Sequence, residues 1–298
     1  MLLSIVIPTH KRPAILRQCL EHIARQTVRD QLEVIVVSDG TGDSETRAVA
    51  ESSWPMPVTF AEIPKSQQGA ARNRGVELAK GERILFIGDD IFLKENACEL
   101  HMNAKTKNAP THALRASPSP ATGEAWGGGA ILGFTTWDPA LKITPVMYWL
   151  EESGWQFGYG KIAHFAGKVL PKHSQHWFTY TSNLSLPKDV ALAHPFRTDV
   201  TLYGWEDIAW GIGLAQGNVP LLYQPKAIAY HHHALTMEDS LKRMETIGES
   251  AAVIEKLEPN LHVAPRGLKR FLYTLISYLP TMRGRHLEAF LRGLTKTK

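Results

Sequence analysis

Three stretches decide how this chain folds: LLSIVIPT at residues 2–9, LEVIVVSDG at 32–40 and ILFIGDD at 84–90. Each runs from a short apolar segment into polar residues, which is typical of a buried strand that ends at a turn. Ligands in an open α/β sheet bind beyond the carboxyl ends of the strands. We therefore expect these polar ends to converge on one crevice.

Helical patterns separate these strands. Strands are predicted at 2–7, 32–37, 58–63 and 83–87, with helices beginning at Pro13 and spanning about 43–53 and 69–79. The alternation of strand and helix predicts an α/β fold with a mostly parallel central sheet flanked by helices. After Asp90 a helix is predicted at about 95–107, followed by a Pro-rich stretch at 117–120 and glycines at 127–129.

The composition is that of a globular protein: 298 residues, 44% hydrophobic and 21% charged. The two cysteines, Cys19 and Cys98, fit a reducing compartment and offer neither a disulfide framework nor a zinc motif. The apolar N-terminus has no basic flank and stops at Pro8, which predicts a first strand and not a signal peptide. No apolar run reaches the length of a membrane span. We expect a cytoplasmic protein.

The C-terminal tail is basic. Between 264 and 298 there are eight Lys or Arg residues and one acid, Glu288. Apolar residues recur at helical spacing on both sides of Pro280, at Leu268, Phe271, Leu272, Leu275, Ile276 and Leu279, then at Leu287, Phe290, Leu291 and Leu294. The pattern fits a helix on an anionic membrane surface, which would make the protein peripheral on the inner face, or a helical cap on the main domain. The tail carries no nucleic-acid-binding motif, so no nucleic-acid partner is expected.

Two of the strand ends offer carboxylates. Asp39 can accept a hydrogen bond from a ring N–H of a nucleotide base, or it can close an Asx turn. The adjacent Asp89 and Asp90 suit Mn²⁺ or Mg²⁺ bound to a diphosphate, with an ordinary acidic turn as the alternative.

A glycine-bracketed turn, GAARNRG at 69–75, offers a cation and close backbone approach. Arg72 suits a nucleotide phosphate or base edge, and a helix start there would add its dipole. The alternative is a surface helix with solvated arginines.

These motifs, with others further on, resemble those of family 2 glycosyltransferases of the GT-A fold, which are inverting sugar transferases. The quoted matches lie in family order over roughly residues 2–250: SIVIPT at 4–9, EVIVVSDG at 33–40, QGAARNRG at 68–75, ILFIGDDI at 84–91, TSNLS at 181–185, GWED at 204–207 and YH at 230–231. The resemblance implies a GT-A type, Rossmann-like sheet with a C-terminal helical extension, and a nucleotide diphosphate sugar as donor.

The resemblance also implies residue roles. Contacts to the nucleotide sugar are expected from Pro8, Thr9, Asp39, Gly69, Arg72 and Asp89. The metal ligand would be Asp90, joined by His231 or, in another register, His233. Gly88 stands where many members carry the first Asp of the DXD motif, although some members lack it. On a strand His231 and His233 share a face and His232 points away.

Glu206-Asp207 resembles the family's ED motif, in which the aspartate takes the proton of the attacking hydroxyl. Asp207 is therefore the predicted catalytic base and Glu206 its acceptor-orienting neighbour. The alternative is that Asp207 caps the helix predicted at 208–215.

Acceptor contacts are expected from Trp205 and Asn183, and from an aromatic-rich insertion at 127–180. That insertion contains flat rings able to stack on sugars, at Trp137, Trp149, Trp155, Phe157, Tyr159, Trp177 and Phe178. We expect most of them in the core and two or three at the site.

The resemblance divides the chain into a GT-A domain at 1–258 and the basic tail at 259–298. Within the domain, 1–115 would form the nucleotide-binding half and 116–258 the acceptor-binding and catalytic half. The expected acceptor is a glycan or a lipid-linked saccharide in cell-surface polysaccharide synthesis. The alternatives are a catalytically silent sugar-nucleotide binding protein and a sugar nucleotidyltransferase, although the turn after the first strand lacks the glycines that the latter needs.

Overall fold

The computed structural model describes residues 2–104, 128–199, 204–258 and 261–296. Its eight strands form one sheet in the order β3-β2-β1-β4-β7-β6-β8-β5. The strand bounds are β1 Leu3–Thr9, β2 Leu32–Asp39, β3 Val58–Ile63, β4 Arg83–Phe86, β5 Ile91–Leu93, β6 Ala130–Trp137, β7 Leu184–Pro187 and β8 Leu221–His231. The Pro-rich stretch at 117–120, Gly127, the end of the predicted helix at 107 and Lys298 lie outside the described residues.

The first four strands run parallel, as the alternating pattern predicts. Both faces of β1 are covered because its side chains alternate between two cores. Ile5 and Ile7 pack with Leu16 and Leu20 of α1, whereas Val6 packs with the residues of α3. Strands buried on both faces read as continuous apolar runs, which is why the sequence located them.

The second half of the sheet is mixed. β7 runs antiparallel to both β4 and β6, β5 runs antiparallel to β8, and β6 runs parallel to β8. This arrangement brings the end of β8 alongside the segment that follows β4. The pair Ile91↔His231 in the β5–β8 register therefore puts the histidines next to Asp90.

The helices are α1 Pro13–Ala24, α2 Ser44–Ala50, α3 Gln68–Leu78, α4 Ala97–Asn103, α5 Pro145–Glu152, α6 Lys188–Ala193, α7 Glu206–Gln216, α8 Met237–Leu257, α9 Gly267–Ser277 and α10 Met282–Lys296. Single 3-10 turns occur at Arg29–Gln31, Tyr159–Phe165 and Gln175–Phe178. α2 begins after its N-cap Asp43, which accepts a hydrogen bond from the Thr46 amide, and it ends at Ala50, about three residues earlier than predicted.

The basic tail forms two helices with opposite surroundings. α10 buries Leu287, Phe290 and Leu294 beside α8, whereas α9 has no buried residue. α10 therefore matches the helical-cap alternative, and α9 does not. No helix in the described parts of the chain combines the length and the apolar character needed to cross a membrane.

Candidate active site

A cleft of about 1060 Å³ lies at the carboxyl ends of β1, β2 and β4. The start of α7 and the end of β8 complete its wall. Most of the predicted site residues line it: Pro8, Thr9, Asp39, Arg72, Asp89, Asp90, Trp205, Glu206, Asp207, His231 and His233. The polar ends of β1, β2 and β4 therefore meet at one cleft, as the strand-end pattern predicts, and side chains from the second half of the sequence join them there.

Asp89 and Asp90 share one cation, Arg12. Its Nη1 lies 2.7 Å from Asp89 Oδ1 and 3.1 Å from Asp90 Oδ2, and the Thr9 hydroxyl donates to Asp89 at 2.7 Å. Burial and the charge of Asp90 raise the pKa of Asp89 to about 6, against the opposing effect of Arg12 and Thr9. Two adjacent carboxylates repel each other when both are ionised, so a nearby cation stabilises the pair.

Asp90 also faces two imidazoles. His231 Nε2 lies 3.7 Å from Asp90 Oδ1, and His233 Nδ1 lies 3.5 Å from Asp90 Oδ2. The ligand atoms of these three residues lie within 4.8 Å of one another. His232 points away and pairs with Asp138 Oδ2 at 2.6 Å, so the predicted alternation is observed.

The donor set of this triad fits a divalent ion. One carboxylate oxygen and two imidazole nitrogens suit Mn²⁺ better than Mg²⁺, because Mg²⁺ strongly prefers oxygen ligands. Gly88 leaves room for the carboxylate, since a Cβ at that position would lie 3.0 Å from Asp90 Oδ1. Any side chain at position 88, including that of an aspartate, would therefore crowd the Asp90 carboxylate.

Asp39 is buried and already fully engaged. Its carboxylate accepts hydrogen bonds from Lys65 Nζ at 2.8 Å and from the amides of Ser66 and Gln67 at 2.6 and 3.1 Å. Burial opposes ionisation, but these donors outweigh it and hold the pKa of Asp39 below its ordinary value. Gln67 has a left-handed φ of 81°, a conformation in which its amide meets Asp39. These contacts reach a loop 26 to 28 residues further along the chain, so they are not the local Asx turn that the alternative predicts.

Arg72 and Asp207 form the second charged centre of the cleft. Arg72 Nη1 lies 3.6 Å from Asp207 Oδ1, and the guanidinium lies over the Phe196 ring at 5.3 Å. Arg72 is 5% exposed, and neither its Nε nor its Nη1 has a hydrogen-bond partner among the described residues. Such buried donors cost about 1–3 kcal/mol each when unsatisfied, so they mark a place where a ligand oxygen would be stabilised.

Asp207 lies in the first turn of α7, but it does not cap the helix. The N-cap is Trp205, which has no side-chain cap bond, and the Asp207 carboxylate instead accepts from the hydroxyl of Thr181 at 2.9 Å and from its amide at 3.2 Å. Burial raises the pKa of Asp207 to about 6; Arg72 opposes this rise and Glu206 adds to it. The capping alternative is therefore wrong.

Glu206 ties the loop before α7 to α3. Its carboxylate accepts from the Gly204 amide at 3.0 Å and from the Gln68 side-chain amide. These contacts fix the turn that carries Asp207 against the helix that carries Arg72. Glu206 thus holds the turn in place, and its predicted role in orienting the acceptor stays a prediction.

Two predicted site residues lie elsewhere. Asn183 is fully buried: its Nδ2 donates to the carbonyls of Phe134 and Ala227, and its Oδ1 is 2.8 Å from His101 Nε2. The acceptor role predicted for Asn183 is wrong, because its side-chain polar groups are all bonded inside the fold, to β6, β8 and α4. Gly69 is also outside the cleft lining, where its Cα faces Phe196.

The aromatic insertion contributes four of its predicted rings to the cleft, one or two more than expected: Trp155, Phe157, Trp177 and Phe178. Trp177 is 40% exposed, whereas Trp137 is buried with its Nε1 bonded to the Met147 carbonyl. Trp205 also lines the cleft while its Nε1 donates to the Ile247 carbonyl. Flat, partly exposed rings of this kind suit sugar faces.

Sequence reasoning missed Arg12, Lys65 and Thr181 as members of this site. Arg12 lies three residues after the observed end of β1, in the segment HKR at 10–12, and Thr181 opens the quoted segment TSNLS. The sequence shows that these residues lie in or near the quoted motifs. The sequence does not show which residues they contact, because each contact joins segments far apart in the chain, such as Thr181 and Asp207.

Comparison with known proteins places this geometry in context. Residues 4–144 match the family model for glycosyl transferase family 2. The chain is 36% identical over 98 residues to the putative glycosyltransferase EpsH of Bacillus subtilis, a match that covers 32% of this chain and 28% of that protein. It is 27% identical over 236 residues to a validoxylamine A glucosyltransferase of Streptomyces hygroscopicus subsp. jinggangensis, covering 74% of this chain and 53% of that one. The matches thus span about a quarter to a half of these relatives' length.

The fold is similar to that of solved glycosyltransferases. The structure of the mannosyltransferase PcManGT from Pyrobaculum calidifontis, in complex with GDP-Man and Mn²⁺, aligns with a TM-score of 0.54. The alignment covers 99% of this chain and 74% of that one at 16% identity. At this identity the likeness concerns the fold alone, which is of the GT-A type.

Proposed function

Because the chain carries a family 2 glycosyltransferase domain over residues 4–144, we propose that it is an inverting glycosyltransferase. It moves a sugar from a nucleotide diphosphate sugar to a hydroxyl group of an acceptor. The observation that carries the proposal is the convergence, in one cleft, of a cation-binding acid group around Asp90 and a separate acid, Asp207, whose pKa is raised to about 6. A transferase needs both a place for the diphosphate and a proton acceptor.

Asp207 is the proposed base. The acceptor O–H gives its proton to the Asp207 carboxylate while the acceptor oxygen forms a bond to the anomeric carbon. The bond from that carbon to the diphosphate oxygen breaks on the opposite face, and its electron pair leaves with the nucleoside diphosphate. One displacement inverts the anomeric configuration. The Thr181 contacts and Glu206 hold the carboxylate for this step.

The donor is proposed to lie between the ends of β1, β2 and β4, against Pro8, Thr9, Asp39 and Asp89. Arg72 supports it with two buried nitrogens, Nε and Nη1, that have no hydrogen-bond partner among the described residues, although Nη1 lies 3.6 Å from Asp207 Oδ1. A base N–H bonding to Asp39 would have to share that carboxylate with Lys65 and the 65–67 amides. Gly69 acts only indirectly, by letting α3 approach Phe196.

The proposed metal ligands are Asp90, His231 and His233, with Mn²⁺ favoured over Mg²⁺ by the two imidazoles. When bound, the ion supplies positive charge to the diphosphate as it leaves. Arg12 already supplies one positive charge at the same acids. Support for Mn²⁺ also comes from the mannosyltransferase of similar fold, whose structure contains it.

The transferred sugar is proposed to be a hexose or a related sugar. The proposed acceptor is a glycan or a lipid-linked saccharide in cell-surface polysaccharide synthesis, with Trp205 and the rings of Trp155 and Trp177 as the surface for its sugar faces. The two free, buried cysteines support work in a reducing compartment, on the inner face of a membrane when the acceptor is lipid-linked. We propose the first half of the domain for the donor and the second for the acceptor and the base.

The test is release of nucleoside diphosphate from a panel of nucleotide sugars, with Mn²⁺ and with saccharide acceptors. We expect one donor to be consumed, and its sugar to appear on the acceptor with inverted anomeric configuration by NMR. Binding of a donor without turnover, across the panel and a broad acceptor set, would instead identify a silent binding protein. Retention of configuration would contradict the single displacement at Asp207.

A further inference from the structure

α9 presents a continuous apolar stripe to solvent. Leu268, Phe271, Leu272 and Leu275 follow the spacing of one face of α9, and Leu279, two residues past the end of the helix, continues the stripe. They are 73, 63, 45, 56 and 51% exposed, and with Tyr278 they make up six of the ten exposed large hydrophobic residues among those described. A contiguous stripe of this size marks an interaction surface.

The helix that carries the stripe is fixed to the main fold through α10. α10 packs its own apolar side chains beside α8, and the turn from α9 into α10 is so close that a Cβ on Gly284 would lie 2.1 Å from the Leu279 carbonyl oxygen. α10 thus anchors α9 to the main fold while the stripe faces outward.

Exposed cations on α9 and on the adjoining α10 indicate the charge of the partner that would cover the stripe. Lys269, Arg283 and Arg285 are exposed and form no ion pair with any described residue, whereas Arg266, Arg292 and Lys296 are paired with acids of α8. Glu288 is the single acid between 261 and 296. A second copy of this face would bring like charges together, but an anionic surface would neutralise them.

We propose that the α9 stripe docks on an anionic phospholipid surface. The leucines and Phe271 enter the boundary between headgroups and acyl chains, and Lys269, Arg283 and Arg285 meet the headgroups. Each such cation adds on the order of fivefold to the affinity at low salt. The binding is independent of the reaction. Its use, which is to bring the cleft to a lipid-linked acceptor, rests on the proposed function.

The experiment is flotation of the full chain with vesicles of phosphatidylcholine alone or with phosphatidylglycerol added. We expect binding to the anionic vesicles at low salt and loss of binding in high salt. The variant Phe271→Asp with Leu275→Asp should bind at least about tenfold more weakly, because charge replaces the apolar stripe. It should stay folded by circular dichroism, since α9 has no buried residue.

Leu192→Asp is the matched control, since Leu192 is another exposed leucine, on α6, at 50% exposure. We expect it to float as the wild type does. Equal binding by the stripe variant, or no binding of the wild type at low salt, would overturn the proposal. So would a wild-type dimer that the stripe variant dissociates, because a second copy would then cover the face. Donor hydrolysis that persists in the stripe variant separates this outcome from a failure of the proposed function.

Discussion

The cleft contains two acidic centres in opposite electrostatic states. At Asp90, burial alone would raise the pKa, but the imidazoles of His231 and His233 and the guanidinium of Arg12 hold it well below its usual range. At Asp207, burial raises the pKa to about 6, Arg72 only partly opposes it, and Glu206 adds to the rise. Both side chains are partly buried in the same cleft, Asp90 at 14% and Asp207 at 29% exposure, and the less exposed acid has the lower pKa, so burial does not decide their difference.

The difference comes from the number and the sign of the neighbours. Asp90 faces three groups able to carry positive charge, the nearest at 3.1 Å. Asp207 faces one guanidinium at 3.6 Å and lies next to another acid in the chain. A carboxylate that stays anionic suits a cation, and one with a pKa near neutrality suits a proton. The two centres therefore divide the proposed reaction between leaving group and nucleophile.

Asp207→Asn should have the largest effect. The amide keeps the size of the side chain but cannot take a proton, so turnover should fall by about 10²- to 10⁴-fold while donor affinity stays nearly unchanged. Initial rates and calorimetric titration with the donor measure the two quantities. Asp30→Asn is the control, because Asp30 is 87% exposed and far from the cleft lining. Near-normal turnover in Asp207→Asn would remove this residue from the mechanism.

Asp90→Ala should act on binding. Loss of even a supporting group around a metal costs about 10- to 100-fold in affinity, so removal of the one carboxylate in the triad should cost at least about 100-fold for Mn²⁺. The measurement is titration of Mn²⁺ into the protein with nucleoside diphosphate present. His232→Asn is the control, since His232 faces Asp138 and not the triad. Equal Mn²⁺ affinity in wild type and Asp90→Ala would contradict the metal assignment.

The pH profile should separate the centres further. The deprotonated form of Asp207 is the active one, so kcat at saturating donor should fall about tenfold per pH unit well below pH 6 and level off above it. Because Arg72 lowers the pKa of Asp207, Arg72→Gln should move the acid limb to higher pH. Asp89 has a similar pKa, but its contacts are Arg12 and Thr9. If the acid limb of the kcat profile stays at the same pH in Arg72→Gln, the group that titrates is not Asp207.

The sequence alone predicts those features of the fold that depend on residues close together in the chain. β1, β2 and β4 are runs of buried residues, whereas the edge strand β3 is only partly buried. The expected alternation of His231, His232 and His233 continues past the end of β8 at His231. Asn183 was misjudged because its partners are the carbonyls of Phe134 and Ala227, on two strands distant in sequence. The opposite pKa directions of Asp90 and Asp207 were likewise out of reach, because they arise from Arg12, His233 and Arg72, which only the fold brings near.

Arg12→Gln should have the smallest effect, and of opposite sign to that of Asp90→Ala. Arg12 occupies the carboxylate oxygens of Asp89 and Asp90 that face the cleft, so it competes with a divalent ion for the same charge. Its side chain is 40% exposed, and partly solvated ion pairs of this kind contribute little, so Mn²⁺ should bind only about two- to fivefold more tightly without it. Arg17→Gln removes the same charge from the exposed side of α1 and should leave the Mn²⁺ affinity as it is. If Arg12→Gln weakens Mn²⁺ binding instead, then the guanidinium holds the two acids in position more than it neutralises them, and the low pKa of Asp90 must be attributed chiefly to His231 and His233.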